Sequence, residues 1–342
     1  MNPPAAGPSK SPASGAVIAR RVAVGVAVLA LIAAPYAIQQ VYYVNIASQI
    51  LLYAVFALGL NVLVGYAGLV SLGHAGLFGV AAYAVAYLLG AGYGHAVAIL
   101  AGLAAGLVVT AGFAALALRS TGISFIMITL ALGEIIWGLA YRWISLTGGD
   151  NGISVSTRPA PFGLSLDSPG AFYDATLIVF LLAVAAVAIF VRSPFGAALC
   201  GTRDQPRRMT ALGYHVWMIR FWAFMFSGLL TSVAGILFVY YTEFISPQAL
   251  ALTASAEGLL MVISGGAGTL LGPVVGAALV VIVKNVVSAY ITRWNFMLGA
   301  IFVAIVVFMP EGLVPGAVRL TRSAWRAASR QKPAAATAGP QQ

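Results

Sequence analysis

Ionisable side chains are the scarcest part of this chain. From Val22 to Leu118, 97 residues in succession include no Asp, Glu, Lys or Arg, and of all 342 residues only 8% are charged while 61% are hydrophobic. Soluble domains carry roughly a quarter charged residues, so water is excluded as the main solvent. Cys200 stands alone, which excludes an internal disulfide and a cysteine-based metal cluster. A Walker A loop sets Gly directly before Lys, but the three lysines follow Ser9, Val283 and Gln331, so no P-loop holds ATP here. The three histidines are too scattered for an HExxH site, and the Asp residues lack calcium-loop spacing. Without a nucleophile-and-base pair or metal set in the apolar runs, no enzyme is expected, and no cofactor bound by this chain.

What is present is apolar sequence in long, unalternating runs. At roughly 20 residues per crossing, the charge-free stretch alone has room for about four spans. Every backbone amide in lipid must be satisfied internally, so continuous runs predict helices and not a barrel. The expected fold is an all-α polytopic membrane protein of about ten transmembrane segments. Residues 1–19 form a Pro, Ala, Gly and Ser tail too poor in large apolar groups to pack. The first span, near 22–38, follows Arg20-Arg21; a cleaved signal peptide competes with it, although the run is long for one. Further spans fall near 46–64, 70–90, 95–117, 122–141, 175–191, 218–242, 256–271, 273–290 and 295–313. Between them lie a long polar loop from Arg142 to Asp174 and a basic loop at 192–216. The transmembrane domain thus covers 20–315, and 316–342 form a basic tail.

The net charge of +10 is read against the bilayer before any nucleic acid, and none is expected as a partner. With the amino terminus in the cytoplasm, Lys10, Arg20, Arg21, Arg119, Arg192, Arg203, Arg207, Arg208, Arg220 and the tail bases fall inside. That is 14 of the 18 basic residues; Arg142, Arg158, Lys284 and Arg293 fall elsewhere. This bias predicts both termini inside. Arg322, Arg326 and Arg330 stand four apart, either as one face of a short helix on anionic lipid or as a solvated tail.

Two glycine clusters share an order. Gly65-Tyr66-Ala67-Gly68 leads to Leu72-Gly73, and Gly265-Gly266-Ala267-Gly268 leads to Leu271-Gly272. Singly, each fits tight helix packing or the broken helices at which transporters bind substrates; together they predict an internal repeat. Glu134 and Glu257 lie in or at the edge of spans, where a functional role is the default for an ionisable group. Glu257 is expected to start its helix, where the positive end of the dipole favours an acid. His74, beside Ser71, suits a packed or hydrogen-bonded imidazole better than a titrating one. The loop at 192–216 reads as a short helix ending at Gly213, either a docking element or an ordinary positive-inside loop.

The residues also resemble a known family. Leu60-Asn61-Val62-Leu63-Val64-Gly65-Tyr66-Ala67-Gly68 with Ser71-Leu72-Gly73-His74-Ala75, and Ile128-Thr129-Leu130-Ala131-Leu132-Gly133-Glu134, are similar to the LivM-like half of LivH/LivM, the permease pair of bacterial branched-chain amino acid ABC importers. So are Ser145-Leu146-Thr147-Gly148-Gly149, Ser193-Pro194-Phe195-Gly196, Ala211-Leu212-Gly213-Tyr214, Ser246-Pro247, Gly265-Gly266-Ala267-Gly268-Thr269, Gly272-Pro273 and Pro310-Glu311-Gly312-Leu313. The resemblance implies an ATP-driven importer in a bacterial inner membrane. Its partners are a LivH-like second permease, cytoplasmic ATPase subunits that hold the ATP, and an extracytoplasmic binding protein. It implies that Arg203, Asp204, Arg207, Arg208, Ala211, Leu212 and Gly213 form a coupling helix for the ATPase. Pro206 departs from the family, and since proline suits only a helix's first turn, that helix is expected to start near Gln205. Asn61, Ser71, His74, Thr129, Glu134 and Glu257 are the candidates for the transport pathway. Branched-chain amino acids are the expected substrate; relatives of similar sequence move urea, short amides or aromatic acids. A proton-coupled carrier using Glu134 is the alternative from another class.

Overall fold

The computed structural model describes residues 40–155, 166–290, 294–309, 311–316 and 319. The span expected near 22–38, residues 1–19 and the arginines at 322, 326 and 330 lie outside them. Helix α1 (Val41–Asn61) continues as π-helix through Val62–Ala67, and α2 (His74–Gly90), α3 (His95–Ala117) and α4 (Ile123–Arg142) follow. Next come the short α5 (Ile144–Thr147), strand β1 (Ile153–Ser154), α6 (Pro169–Arg192), α7 (Pro194–Asp204), α8 (Pro206–Ala211) and α9 (Val216–Thr242). Strand β2 (Phe244–Ile245), α10 (Leu252–Gly265), α11 (Gly272–Tyr290) and α12 (Trp294–Phe308) complete the order.

Five of these runs are long and apolar enough to cross a membrane: Val41–Ala67, α3, α4, α6 and α9. Helices α2, α10 and α11 are apolar but shorter. Their starts follow from local chemistry. Ser168 and Ser193 cap α6 and α7 by accepting hydrogen bonds from the N–H of Ala171 and Gly196, both at 3.2 Å. Pro169 and Pro194 then occupy the first turn, where a missing N–H costs nothing.

Helix α1 is central, with 83% of its most apolar window buried against 22% for α4. It packs on α6, α9, α10 and α11, while α2 packs on α3 and α9. At one end of the bundle, Arg203 reaches the Gly65–Gly68 turn, Gly65 abuts Gly268, and Gly266 meets Glu311 and Pro315. At the other end β1 pairs antiparallel with β2, Ile153 opposite Ile245. Nearby, Tyr241 donates to the Asn45 carbonyl at 3.2 Å and His95 Nδ1 lies 3.2 Å from the Tyr240 hydroxyl.

Two span boundaries differ from expectation in ways that matter to function. The segment expected as helix from residue 70 is non-helical until His74. Irregular backbone at that depth is tolerated because protein encloses it. Helix α10 begins at Leu252, not near 256, so Glu257 lies in its second turn and does not head the helix. The dipole argument for Glu257 is therefore replaced by a direct partner, described below.

Candidate functional site

The two glycine clusters meet. The π-helix closes on Gly68, whose φ of 69° is left-handed and suits glycine, and the chain turns there under the side chain of Arg203. A Cβ on Gly68 would stand 2.5 Å from Arg203 Cγ. The Arg203 guanidinium donates through Nη1 to the Gly65 carbonyl at 2.7 Å. A Cβ on Gly65 would overlap the Gly268 nitrogen and lie 2.7 Å from Gly268 Cα, so the two backbones touch only because residue 65 is glycine, while Gly268 suits its left-handed φ of 78°. Asn61, wholly buried, fastens them: its Nδ2 donates to the Thr269 carbonyl and its Oδ1 accepts from the Gly268 N–H, both at 2.9 Å. A π-helix of one turn in an α-helix is a recurrent mark of functional sites. Here it brings one helix break against the other.

The start of α2 is held by side chains of α4 and α10 and by its own Ser71. The N–H of Leu72 donates to Thr129 Oγ1 at 3.2 Å, that of Gly73 to Ser71 Oγ at 3.4 Å, and that of Ala75 to Ser255 Oγ at 3.0 Å. Ser71 and His74 begin a chain of bonds, with Ser71 Oγ 2.9 Å from His74 Nδ1 and His74 Nε2 2.9 Å from Ser227 Oγ. Ser227 donates in turn to the Gly59 carbonyl at 2.6 Å. Since the Ser227 proton is committed there, Ser227 accepts from His74 Nε2–H, and Nδ1 accepts from Ser71. Ser71, His74 and Thr129 are thus brought together around the start of α2, while Asn61 is buried at the glycine junction. Their polar atoms serve the backbone and one another.

Glu134 and Glu257 differ from each other in environment. Glu134 is half-buried on α4, whose neighbouring Met127, Ile135 and Leu139 are exposed. Glu257 faces Lys284 of α11, with Nζ 3.4 Å from Oε1 and 3.2 Å from Oε2. The pair lines a cavity of about 340 Å³ walled by Phe56, Phe78, Phe238 and Phe244. Lys284 carried no functional expectation from the sequence. A signal was available in their charge, since Glu257 and Lys284 are ionisable residues on two apolar helices joined by a short turn.

The loop expected at 192–216 contains two helices. Helix α7 ends at Asp204, the backbone breaks at Gln205 with φ −145° and ψ 76°, and Pro206 opens α8, as the proline requires. Gly213, at φ 87°, ends the unit. Arg207, Arg208, Ala211, Leu212 and Gly213 are exposed, and Leu212, Tyr214, Trp217 and Met218 add an apolar surface beside the arginines. Arg203 Nε bonds the neighbouring Asp204 at 2.8 Å, and Arg220 donates to the Thr202 carbonyl at 2.7 Å, tying α9 to α7.

Fold and junction together define an integral membrane protein of many helices, built around a broken central helix, as in transport proteins. The family described as "Branched-chain amino acid transport system / permease component" matches residues 42–306, and the chain belongs to that family. It is 31% identical over 298 residues to the high-affinity branched-chain amino acid transport system permease protein LivM of Escherichia coli K12, covering 80% of this chain and 70% of that protein. The LivM of Salmonella typhimurium LT2 is 32% identical over 301 residues with the same coverage. The autoinducer 2 import system permease protein LsrC of Yersinia enterocolitica is 30% identical over 244 residues, covering 67% of this chain and 64% of that protein. No solved structure matches the chain significantly.

Proposed function

We propose that this chain is the membrane-spanning permease subunit of an ATP-driven, binding-protein-dependent importer of branched-chain amino acids. It would lie in a bacterial inner membrane with about ten spans and both termini in the cytoplasm. A LivH-like permease, ATPase subunits holding the ATP and an extracytoplasmic binding protein complete the assembly. The observation that carries this reading is the bond from Arg203 to the Gly65 carbonyl. It joins an exposed, basic pair of short helices to the break in the central helix, which is what a subunit driven from outside needs. Motion of α7 and α8 can reach the Gly65–Gly268 contact without crossing soft structure. Arg203, Asp204, Arg207, Arg208, Ala211, Leu212 and Gly213 are assigned to ATPase contact within the loop 192–216.

Sidedness follows the positive-inside rule: the bundle end bearing Arg203 also carries Arg192, Arg207 and Arg208 in the same loop. The paired glycine clusters, with left-handed Gly68 and Gly268, are read as equivalent points of an internal repeat. For the pathway, Asn61, Ser71, His74 and Thr129 act as braces that set the helix breaks, while Glu134 and Glu257 face accessible space. The LivM relatives favour branched-chain amino acids; the LsrC relatives favour keeping a second substrate class within the same machine. The half-buried acid at Glu134 is the one observation favouring a proton-coupled carrier.

The deciding experiment is uptake of radiolabelled leucine into vesicles holding this chain with its partner permease, ATPase and binding protein. Uptake that requires both ATP and the binding protein is expected. Uptake by this chain alone under a proton gradient would replace the importer with a carrier.

A further inference from the structure

We infer that the cavity closed by Glu257 and Lys284 is a binding site for a zwitterionic amino acid with an apolar side chain. The site rests on the importer reading above and deepens it, by giving this subunit its own contact with substrate. Three observations converge on it.

The first is the ion pair itself. Ionisable residues on apolar membrane helices are rare and mark functional sites by default. A charge pair kept there is explained by use more readily than by stability. The second is its geometry. Lys284 Nζ lies 3.2 Å and 3.4 Å from the two Glu257 oxygens, longer than the 2.7–2.9 Å or so of a tight charge-assisted bond. The side chains remain 35% and 20% exposed, so both heads face the cavity. The third is the cavity. Its volume of about 340 Å³ is at the small end of ligand sites, which run from roughly 300 to 1,000 Å³. Phe56, Phe78 and Phe238 make one wall, with ring centroids 5.4 and 5.2 Å apart across Phe78.

An α-amino acid presents one anion and one cation on a single carbon, with its side chain directed away. Inserted between the heads, its ammonium takes the Glu257 carboxylate and its carboxylate takes the Lys284 ammonium, replacing one ion pair by two. The aliphatic side chain then meets the phenylalanine wall. A molecule lacking either charge forfeits one of these two ion pairs, which is the basis of discrimination. Discrimination of this kind would operate after release from any binding protein.

The test uses the full chain in lipid nanodiscs with a diazirine analogue of leucine, followed by mapping of the photolabelled peptides. Label is expected on the segments around Phe238, Phe244 and Thr253. Excess leucine should abolish it, whereas leucinamide and 4-methylpentanoate, each missing one charge, should not. The double variant Glu257→Gln/Lys284→Met removes both charges at nearly constant volume, and it should elute and assemble as the wild type does. Its labelling and its ATP-driven leucine uptake should both fall about tenfold or more, as expected for lost charged hydrogen bonds. Wild-type uptake with no label in these segments, or with label competed equally by leucinamide, overturns the zwitterion site and leaves the importer standing. Undiminished label and uptake in the double variant do the same. Absence of leucine uptake by the wild-type assembly overturns both.

Discussion

Replacing Gly65 by alanine is the most direct test of the junction. A Cβ at this position would stand 2.7 Å from Gly268 Cα and closer still to the Gly268 nitrogen and the Asn61 side-chain oxygen. The obstacles on the Gly268 side are backbone, so no rotamer change relieves them. Restoring ordinary contact parts the two segments by about 1 Å, which takes the 2.9 Å bonds of Asn61 beyond the roughly 3.5 Å at which a hydrogen bond ceases to count. Interhelical polar bonds in membranes contribute about 0.6 kcal/mol on average and about 1.7 at most, and overpacking adds about 1–3 kcal/mol. With both Asn61 bonds lost, the total is about 2–6 kcal/mol. Gly112→Ala is the matched control, since a Cβ there meets nothing within 4 Å and alanine in a helix interior gains about 0.5–1 kcal/mol over glycine. Reversible unfolding in mixed micelles gives the energies, and ATP-driven leucine uptake gives the consequence. Gly65→Ala should lower both and Gly112→Ala neither. Equal behaviour of the two variants would refute the close-approach account of the junction.

Three further outcomes are expected. Glu134→Ala should cut leucine uptake about tenfold while the protein still inserts and assembles, because a half-exposed membrane acid stabilises little by itself; wild-type uptake would remove Glu134 from the pathway. Reversing charge at Arg207 and Arg208, or Gly213→Asp at its φ of 87°, should leave insertion intact and separate ATP hydrolysis from uptake. Normal coupling in those variants would end the assignment of α7 and α8 as the ATPase contact. Ser227→Ala strands the His74 Nε2–H in a fully enclosed site and should cost about 1–3 kcal/mol of stability, measured against Ser120→Ala, whose hydroxyl bonds the Ala117 carbonyl near a loop.

Hydropathy made α3 legible to the residue, because the chain meets polar turns at both of its ends, Gly90–Gly94 and Leu118–Gly122. The same signal misplaced the start of α2. Hydropathy records transfer from water to an apolar medium, and of residues 69–73 Leu69, Ser71 and Gly73 are buried in protein while Val70 and Leu72 are half-buried. A helix break in that setting leaves no trace in hydropathy, only in glycine. The clasp of Asn61 on Gly268 and Thr269 spans 207 and 208 residues; the matched order of the two glycine clusters hinted at a relation between them, and nothing local announced the contact. Pro206 was more informative, since its ring dictates where a helix can restart, and α8 opens on it.

The charged residues obey a rule that hydropathy also misses. Consecutive membrane helices joined by a tight turn run antiparallel, so an acid in one looks across to the residue equally far beyond the turn. For Glu257, eight residues before the end of α10 at Gly265, that residue is Val280, and Lys284, one helical turn beyond it, makes the pair. For Glu134 the turn at Ser120 is 14 residues away, and the position as far on the other side is Gly106, which offers no charge. The outer face of α4 is left largely open, with Ile123, Met127 and Ile135 each more than half exposed. The two acids therefore answer to different experiments. Glu257 is judged by what its loss does together with that of Lys284, because removing one alone breaks their ion pair while leaving the other charge at the cavity, and so conflates stability with function. Glu134 can be judged by itself, and only transport measured in the complete assembly reports on the surface it occupies.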